Sequence, residues 1–215
     1  MVDVVWLGHA CFTLQSNTSL LFDPFKGTGL VEPKVKADIV LCTHSHQDHN
    51  NAAAVKGENS TVLESFTGEK RIGNVRIRGL ATFHDDVRGT KRGRNSVYVV
   101  ELNNVTFCHL GDLGHELSAS EVDEIGPVDV LFIPVGGFFT IGPQQARNVV
   151  ESLKPRIAVP MHYKTAGLVE KYAPLKGLDD FLRENDSVRR LRGSHFSVDR
   201  LNLPEHAIIV APRLA

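Results

Sequence analysis

Short apolar runs in this chain stop, one after another, at residues whose side chains bind metals or move protons. Ala37-Asp38-Ile39-Val40-Leu41-Cys42-Thr43 stops at His44. The run 75–83 stops at His84, 105–110 precedes Asp112, and 156–160 precedes His162. The first run is too short for a helix and too apolar for an ordinary loop, so it reads as a buried strand. Strand ends on one edge of a sheet converge in space, and binding sites favour the loops there because the scaffold beneath is rigid. A chain with this pattern is expected to build large sheets and to gather its chemistry at one edge of them.

The densest of these stops is His44-Ser45-His46-Gln47-Asp48-His49, with three imidazoles and one carboxylate in six residues. Divalent metals are held by His nitrogen and Asp oxygen. With His84, Asp112 and His162 the count reaches seven donors, which suits two metal ions sharing a bridging carboxylate. A polar, His-rich surface loop is the bland alternative.

The rest of the chain is ordinary for a globular protein: 215 residues, 42% hydrophobic, 23% charged. One domain, 1–215, is expected, with a core large enough to fold without disulfides. The net charge of −1 supplies no basic field and argues against nucleic acid as partner. Cys11, Cys42 and Cys108 are odd in number and widely spaced, so buried free thiols are expected. The N-terminus lacks a basic stretch and a cleavage-like site, and no apolar run approaches the roughly 20 residues needed to span a bilayer. A cytoplasmic protein without membrane insertion follows, and enzymes of this size often assemble as homo-oligomers.

In chain order, strands are expected at 2–7, 11–16, 19–23, 38–42, 61–64, 71–83, 96–102, 105–110, 128–135, 156–160, 188–191 and 207–210. Short helices are expected near 52–57 and 178–182. Ser118-Ala119-Ser120-Glu121 is a capping box that starts a helix ending at Gly126-Pro127. Pro143 opens another, whose Ala146, Val149, Val150 and Leu153 form one apolar face. Strands outnumber helices but the two are interleaved, which gives an α/β or α+β domain built on large sheets.

The motif His44-x-His46-x-Asp48-His49 resembles that of the metallo-β-lactamase superfamily. Gly8-His9-Ala10, Leu21-Phe22-Asp23-Pro24, Gly111-Asp112-Leu113-Gly114, Gly136-Gly137-Phe138-Phe139-Thr140-Ile141-Gly142-Pro143 and Pro160-Met161-His162-Tyr163 look like the metal-dependent hydrolases grouped with L-ascorbate-6-phosphate lactonase. N-acyl-phosphatidylethanolamine phospholipase D is a more distant similar enzyme. The resemblance implies a four-layer αββα sandwich. It implies that His44, His46 and His84 hold one metal, that Asp48, His49 and His162 hold the second, and that Asp112 bridges. Gln47 stands where the diiron flavoprotein branch carries an acidic iron ligand, which argues against redox chemistry.

The expected cofactors are two divalent ions, zinc first, with manganese, iron or nickel as further occupants of such sites. The expected function is hydrolysis of a small anionic ester-like substrate, a lactone or phosphodiester, by a hydroxide held between the metals. Asp48 would orient that nucleophile and shuttle its proton. Asp23 and Asp85 are candidates to orient ligand histidines. His9, Gly137 and Lys164 are candidates for the substrate pocket. Lys91, Arg92 and Arg94 on the loop 85–95 read as a solvated charge run, with a mobile basic lid that attracts an anionic substrate as the alternative. His109 reads as a satisfied core histidine; His195 and His206 read as structural or surface residues. Two other readings stay open: a nuclease-type phosphodiesterase acting on RNA or DNA, and a metal- or ligand-binding module without turnover.

Overall fold

Buried and half-buried residues alternate along Val2–Gly8, so this first strand, β1, turns Val2, Val4 and Trp6 inward. The computed structural model describes residues 1–185 and 187–214. After β1 come β2 (Cys11–Gln15), β3 (Ser19–Phe22), β4 (Ala37–Cys42), helix α1 (Ala52–Val55), β5 (Lys56–Glu64), β6 (Gly68–Ile72), β7 (Val75–Phe83), β8 (Arg94–Leu102) and β9 (Val105–His109). The second half holds α2 (Ala119–Ile125), β10 (Val130–Pro134), α3 (Pro143–Leu153), β11 (Ile157–Met161), α4 (Leu178–Leu182), β12 (Val188–Arg190), β13 (His195–Val198) and β14 (Ile208–Ala211).

The strands form two sheets. One has the order β13-β1-β2-β3-β4-β5 and the other β12-β14-β11-β10-β9-β8-β7-β6. Their facing sides share the main core, where the Phe12 and Phe132 rings lie 4.2 Å apart. Truncating either ring to alanine should cost about 3–5 kcal/mol. Tyr98 ties the sheets together, because its hydroxyl donates to the carbonyl of Cys42 and accepts from the amide of Phe66, both at 3.0 Å. A second apolar cluster, of Cys11, Leu21, Phe25, Val40, Cys42, Ala52 and Val55, joins α1 to the first sheet. Strands β10 and β11 are buried at every position, as strands covered on both faces are. The architecture is the expected αββα sandwich.

Strand directions decide where the chemistry gathers. β1 and β3 both run antiparallel to β2, and β3 runs parallel to β4, so β1, β3 and β4 end at one edge of the first sheet. In the second sheet β7 and β9 both run antiparallel to β8, while β9, β10 and β11 are parallel, so β7, β9 and β11 also end together. Each sheet therefore delivers three strand ends.

Two local expectations change. The run 71–83 is not one strand but the hairpin β6–β7, turning at Gly73-Asn74 with Ile72 opposite Val75. Asn and Gly are the residues such a tight turn requires. The stretch 195–198 is a strand, β13, which pairs antiparallel with β1. Helix α2 begins as its capping box predicts: Ser118 Oγ accepts the amide of Glu121, and Glu121 Oε2 accepts the amide of Ser118. Cys11, Cys42 and Cys108 are buried free thiols. Among the described residues, no helix is long and apolar enough to cross a membrane.

Candidate metal centre

Six strand ends supply the site. β1 delivers His9, β3 delivers Asp23, and the turn after β4 delivers His44, His46, Asp48 and His49. From the other sheet come His84 after β7, Asp112 after β9 and His162 after β11. The donor atoms fall into three overlapping sets, each with all its atoms within 4.8 Å of one another: His44, His46 and His84; His44, His49 and Asp112; and His9, Asp48, His49 and His162.

Asp112 is the point where the sets meet. Its Oδ2 lies 3.1 Å from Nε2 of His84, 3.2 Å from His49, 3.3 Å from His162 and 3.9 Å from His44. Four imidazoles from both sheets thus aim the same nitrogen at one buried carboxylate. Asn95 holds that carboxylate's backbone: its Oδ1 accepts the Asp112 amide at 3.0 Å, while its Nδ2 donates to Leu110 O and Thr82 Oγ1. Gly111 has φ +55, and a Cβ there would sit 2.3 Å from Asn95 Oδ1 and 2.7 Å from Thr43 Cβ. Gly114 lets β7 approach, since a Cβ on it would lie 2.2 Å from the Asp85 amide nitrogen and 2.3 Å from the His84 carbonyl carbon.

Hydrogen bonding fixes which nitrogens are free. Asp23 is wholly buried, with Oδ1 accepting the Thr43 amide at 2.8 Å and Oδ2 accepting the Thr43 hydroxyl at 2.8 Å. A carboxylate only accepts, so the single hydroxyl proton of Thr43 is committed to Asp23. Thr43 Oγ1 must then accept from His44 Nδ1, 3.0 Å away, which leaves His44 Nε2 with a lone pair. His49 Nδ1 donates to Asp23 Oδ2 at 2.8 Å in the same way. Imidazoles anchored through one nitrogen and bare at the other are the arrangement metal-binding histidines use.

Charge follows the same layout. Burial, helped by repulsion from His49, lowers the pKa of His44 to about 3, so its ring is neutral. Burial and the neighbouring His84 also lower His46. His49 goes the other way: burial opposes its charge, but Asp112 and Asp23 on either side outweigh burial and raise its pKa well above the ordinary value, so the Nε2 proton facing Asp112 is the one a cation would displace. Burial pushes Asp112 up, but His162, His49 and His84 outweigh it and hold Asp112 well below the usual carboxylate range. The His44 and His49 Nε2 atoms and Asp112 Oδ1 are buried without a hydrogen-bond partner in the protein. Such groups call for an explanation, and cations held among them would satisfy all three. The donor set of imidazole and carboxylate fits zinc and the related divalent ions.

Three comparisons bear on this geometry. A protein-family model described as a beta-lactamase superfamily domain matches residues 3–162. The chain belongs to the metallo-β-lactamase superfamily. Within the superfamily it is 34% identical over 192 residues to a UPF0173 metal-dependent hydrolase of Thermococcus kodakarensis, covering 77% of this chain and 86% of the relative. At that similarity it belongs to the UPF0173 metal-dependent hydrolase family. A Thermotoga maritima crystal structure assigned to the Zn-dependent hydrolases of the metallo-β-lactamase superfamily superposes with a TM-score of 0.84 at 37% identity, over the full length of both chains. A metallo hydrolase from Ignicoccus hospitalis shares the fold at 18% identity and a TM-score of 0.67, covering 92% of this chain and 99% of that one.

On this metallo-β-lactamase scaffold the seven candidate ligands stand together, and His9 stands with them inside the third donor set. The other residues singled out above divide. Gly137 has φ +65 and closes a turn, its amide donating to Ile141 O; the close backbone approach belongs to Gly136, where a Cβ would sit 2.2 Å from His162 O. Lys164 is exposed and donates to Ala173 O, so it braces the loop 164–177. Asp85 does not reach His84. Its two oxygens accept the amides of Val87, Gly89, Lys91 and Arg92 and so shape the loop that follows β7. His109 is satisfied at both nitrogens, by Ala10 O and the Gly111 amide. His195 is exposed and meets Asp3.

The loop 164–177 supplies what sequence reasoning missed. Tyr172 Oη donates to Asp48 Oδ2 at 2.7 Å, and Lys171 Nζ lies 3.6 Å from the same oxygen. Lys171 Nζ also sits 5.8 Å from the Phe139 ring centroid, and Arg92 Cζ sits 5.0 Å from it. The Phe139 ring is 6.4 Å from that of His162. The exposed Lys171 and the half-buried Arg92 therefore flank one aromatic ring beside the histidines. A cavity of about 650 Å³ opens elsewhere, between Trp6, Tyr163, Leu178, Arg190 and Leu214, and none of the clustered donors lines it.

Proposed function

We propose that this chain is a dinuclear metal-dependent hydrolase of small anionic esters, with a lactone or a phosphodiester as the bond cleaved. The observation that carries the reading is the Asp112 carboxylate, approached by four imidazoles from two sheets. One ion would be held by His44, His46 and His84, the other by Asp48, His49 and His162, with Asp112 shared. Zinc suits these donors best, and manganese, iron and nickel are further candidates. When bound, such ions acidify water and neutralise negative charge developing on a substrate oxygen.

The chain's own residues do the rest. His46 is the exposed member of its set, so substrate and water enter on its side. Burial raises the pKa of Asp48, but the adjacent His9 and the charge of His49 outweigh burial, and the net shift is down. Asp48 is therefore a carboxylate at working pH, oriented by the Tyr172 hydroxyl, and it accepts the proton of the attacking water. Lys171 and Arg92 bind the anionic group of the substrate across the Phe139 ring, which orients the scissile bond toward the histidines. The basic lid envisaged at 91, 92 and 94 reduces to Arg92, joined by Lys171. The lactone reading also agrees with the motif likeness to the ascorbate-6-phosphate lactonase branch.

The test is a panel of lactones and phosphodiesters offered to protein loaded with zinc or manganese. Hydrolysis is expected, and both hydrolysis and bound metal should disappear in His46→Ala and Asp112→Ala. Undiminished metal content in those variants would overturn the reading.

A further inference from the structure

His9 ends β1 in a conformation that non-glycine residues rarely adopt, with φ +51. Left-handed backbone costs such a residue about 1–3 kcal/mol and persists where surrounding structure imposes it. The imposing contacts are present: the His9 carbonyl accepts from both the Trp6 indole and the His162 amide, each at 3.1 Å. His162 has the same φ of +51, and the two imidazole centroids are 4.1 Å apart. Strand ends from opposite sheets are thus clamped so that two histidines stand side by side.

The His9 ring is 2% exposed, and neither of its nitrogens has a hydrogen-bond partner in the protein. His109 is equally deep in the same fold, yet both of its nitrogens are paired. The fold pairs a histidine that serves only its core, and leaves His9 unpaired on purpose-built backbone. The nearest polar atom to His9 Nε2 among its carboxylate neighbours is Asp48 Oδ2 at 3.6 Å, outside hydrogen-bond range. All four donors of His9, Asp48, His49 and His162 nevertheless lie within 4.8 Å of one another.

We propose that His9 is a metal ligand, the fourth side chain of a buried site formed with Asp48, His49 and His162. This rests on the metal-dependent reading above and adds a residue that the motif likeness does not supply. It makes the two sites unequal. The inner one is closed by His9 under Tyr172 and Phe25, whose rings lie 5.3 and 6.3 Å away, while the outer one opens past His46.

The experiment titrates metal-stripped full-length protein with zinc by calorimetry, and with cobalt by visible absorption. The unsubstituted chain is expected to take two ions. His9→Gly suits the left-handed backbone and leaves an imidazole-sized space; it should weaken binding of one ion by at least about 10–100-fold, leave the other unchanged, and recover when free imidazole is added. His9→Asn, which also tolerates this backbone, should show the same single loss without the recovery, and guards against a folding defect in the glycine variant. Two ions bound by His9→Gly and His9→Asn with unchanged affinity would overturn the assignment while leaving the dinuclear reading intact. Fewer than two ions on the unsubstituted chain would overturn both, and that result appears before any substitution is made.

Discussion

Asp23 Oδ2 and His49 Nδ1 are 2.8 Å apart at the wholly buried ends of two neighbouring segments of one sheet. The contact turns the other nitrogen of His49 toward Asp112, and through Thr43 the same carboxylate orients His44. One aspartate outside the donor sets therefore aims two of the proposed ligands. Asp23→Asn keeps the shape but removes the charge that the His49 ring donates to. Metal affinity in a chelator-competition titration should fall about 10–100-fold. Unchanged affinity would show that His49 is aimed by packing alone.

Asn95 plays the corresponding part for Asp112, with its side chain bonded to the Asp112 amide, Leu110 O and Thr82 Oγ1. Asn95→Ala leaves these buried groups unpaired, which should cost about 3 kcal/mol. Urea denaturation of metal-free protein measures this without reference to activity. A change within about 0.5 kcal/mol would mean the site's backbone is held elsewhere.

The loop after β7 is organised by Asp85. Burial opposes ionisation of its carboxyl, but the amides of Arg92, Gly89, Val87 and Lys91 outweigh burial and hold its pKa to about 2, against 3.8 for the free group. A depressed acid stabilises the folded loop fully above the unfolded value of 3.8, and the contribution is lost as pH falls through about 2. The loop should thus be ordered throughout the neutral range. Asp85→Asn removes the charge at every pH, so trypsin at neutral pH should cut at Arg88, Lys91 or Arg92 several-fold faster in that variant. Equal cutting rates would mean the amides need no carboxylate.

Lys171 is the exposed cation beside Asp48. Lys171→Met should raise KM for an anionic ester about tenfold, leave kcat close to its original value, and flatten the dependence of KM on salt. An equal effect on an uncharged ester would assign Lys171 to structure rather than to anion binding.

The elements that position the chemistry were legible because the local code and the tertiary structure agree there. Apolar runs of five to nine residues became strands, and their terminal His and Asp residues meet because the strand directions bring their ends to one edge. His9 was legible only as a residue near the site. It stands alone in its segment, 35 positions before the dense motif, and nothing in its own neighbourhood indicates that two clamped strand ends put it against His162. Tyr172 and Lys171 were missed because 164–178 has no periodicity, and their contact with Asp48 spans more than 120 residues of sequence. Asn95 ends a charged stretch that reads as solvated loop, so its burial is a tertiary fact. The hairpin at Gly73-Asn74 was signalled by its turn residues, but the apolar positions on both sides read as one run.

The most direct test of the proposed dinuclear centre is anomalous diffraction from crystals grown with zinc, recorded on both sides of the zinc edge. Two peaks are predicted per chain, both next to Asp112 Oδ2, one among His44, His46 and His84 and the other among His9, Asp48, His49 and His162. A single peak, or peaks away from Asp112, would contradict a centre built around that carboxylate.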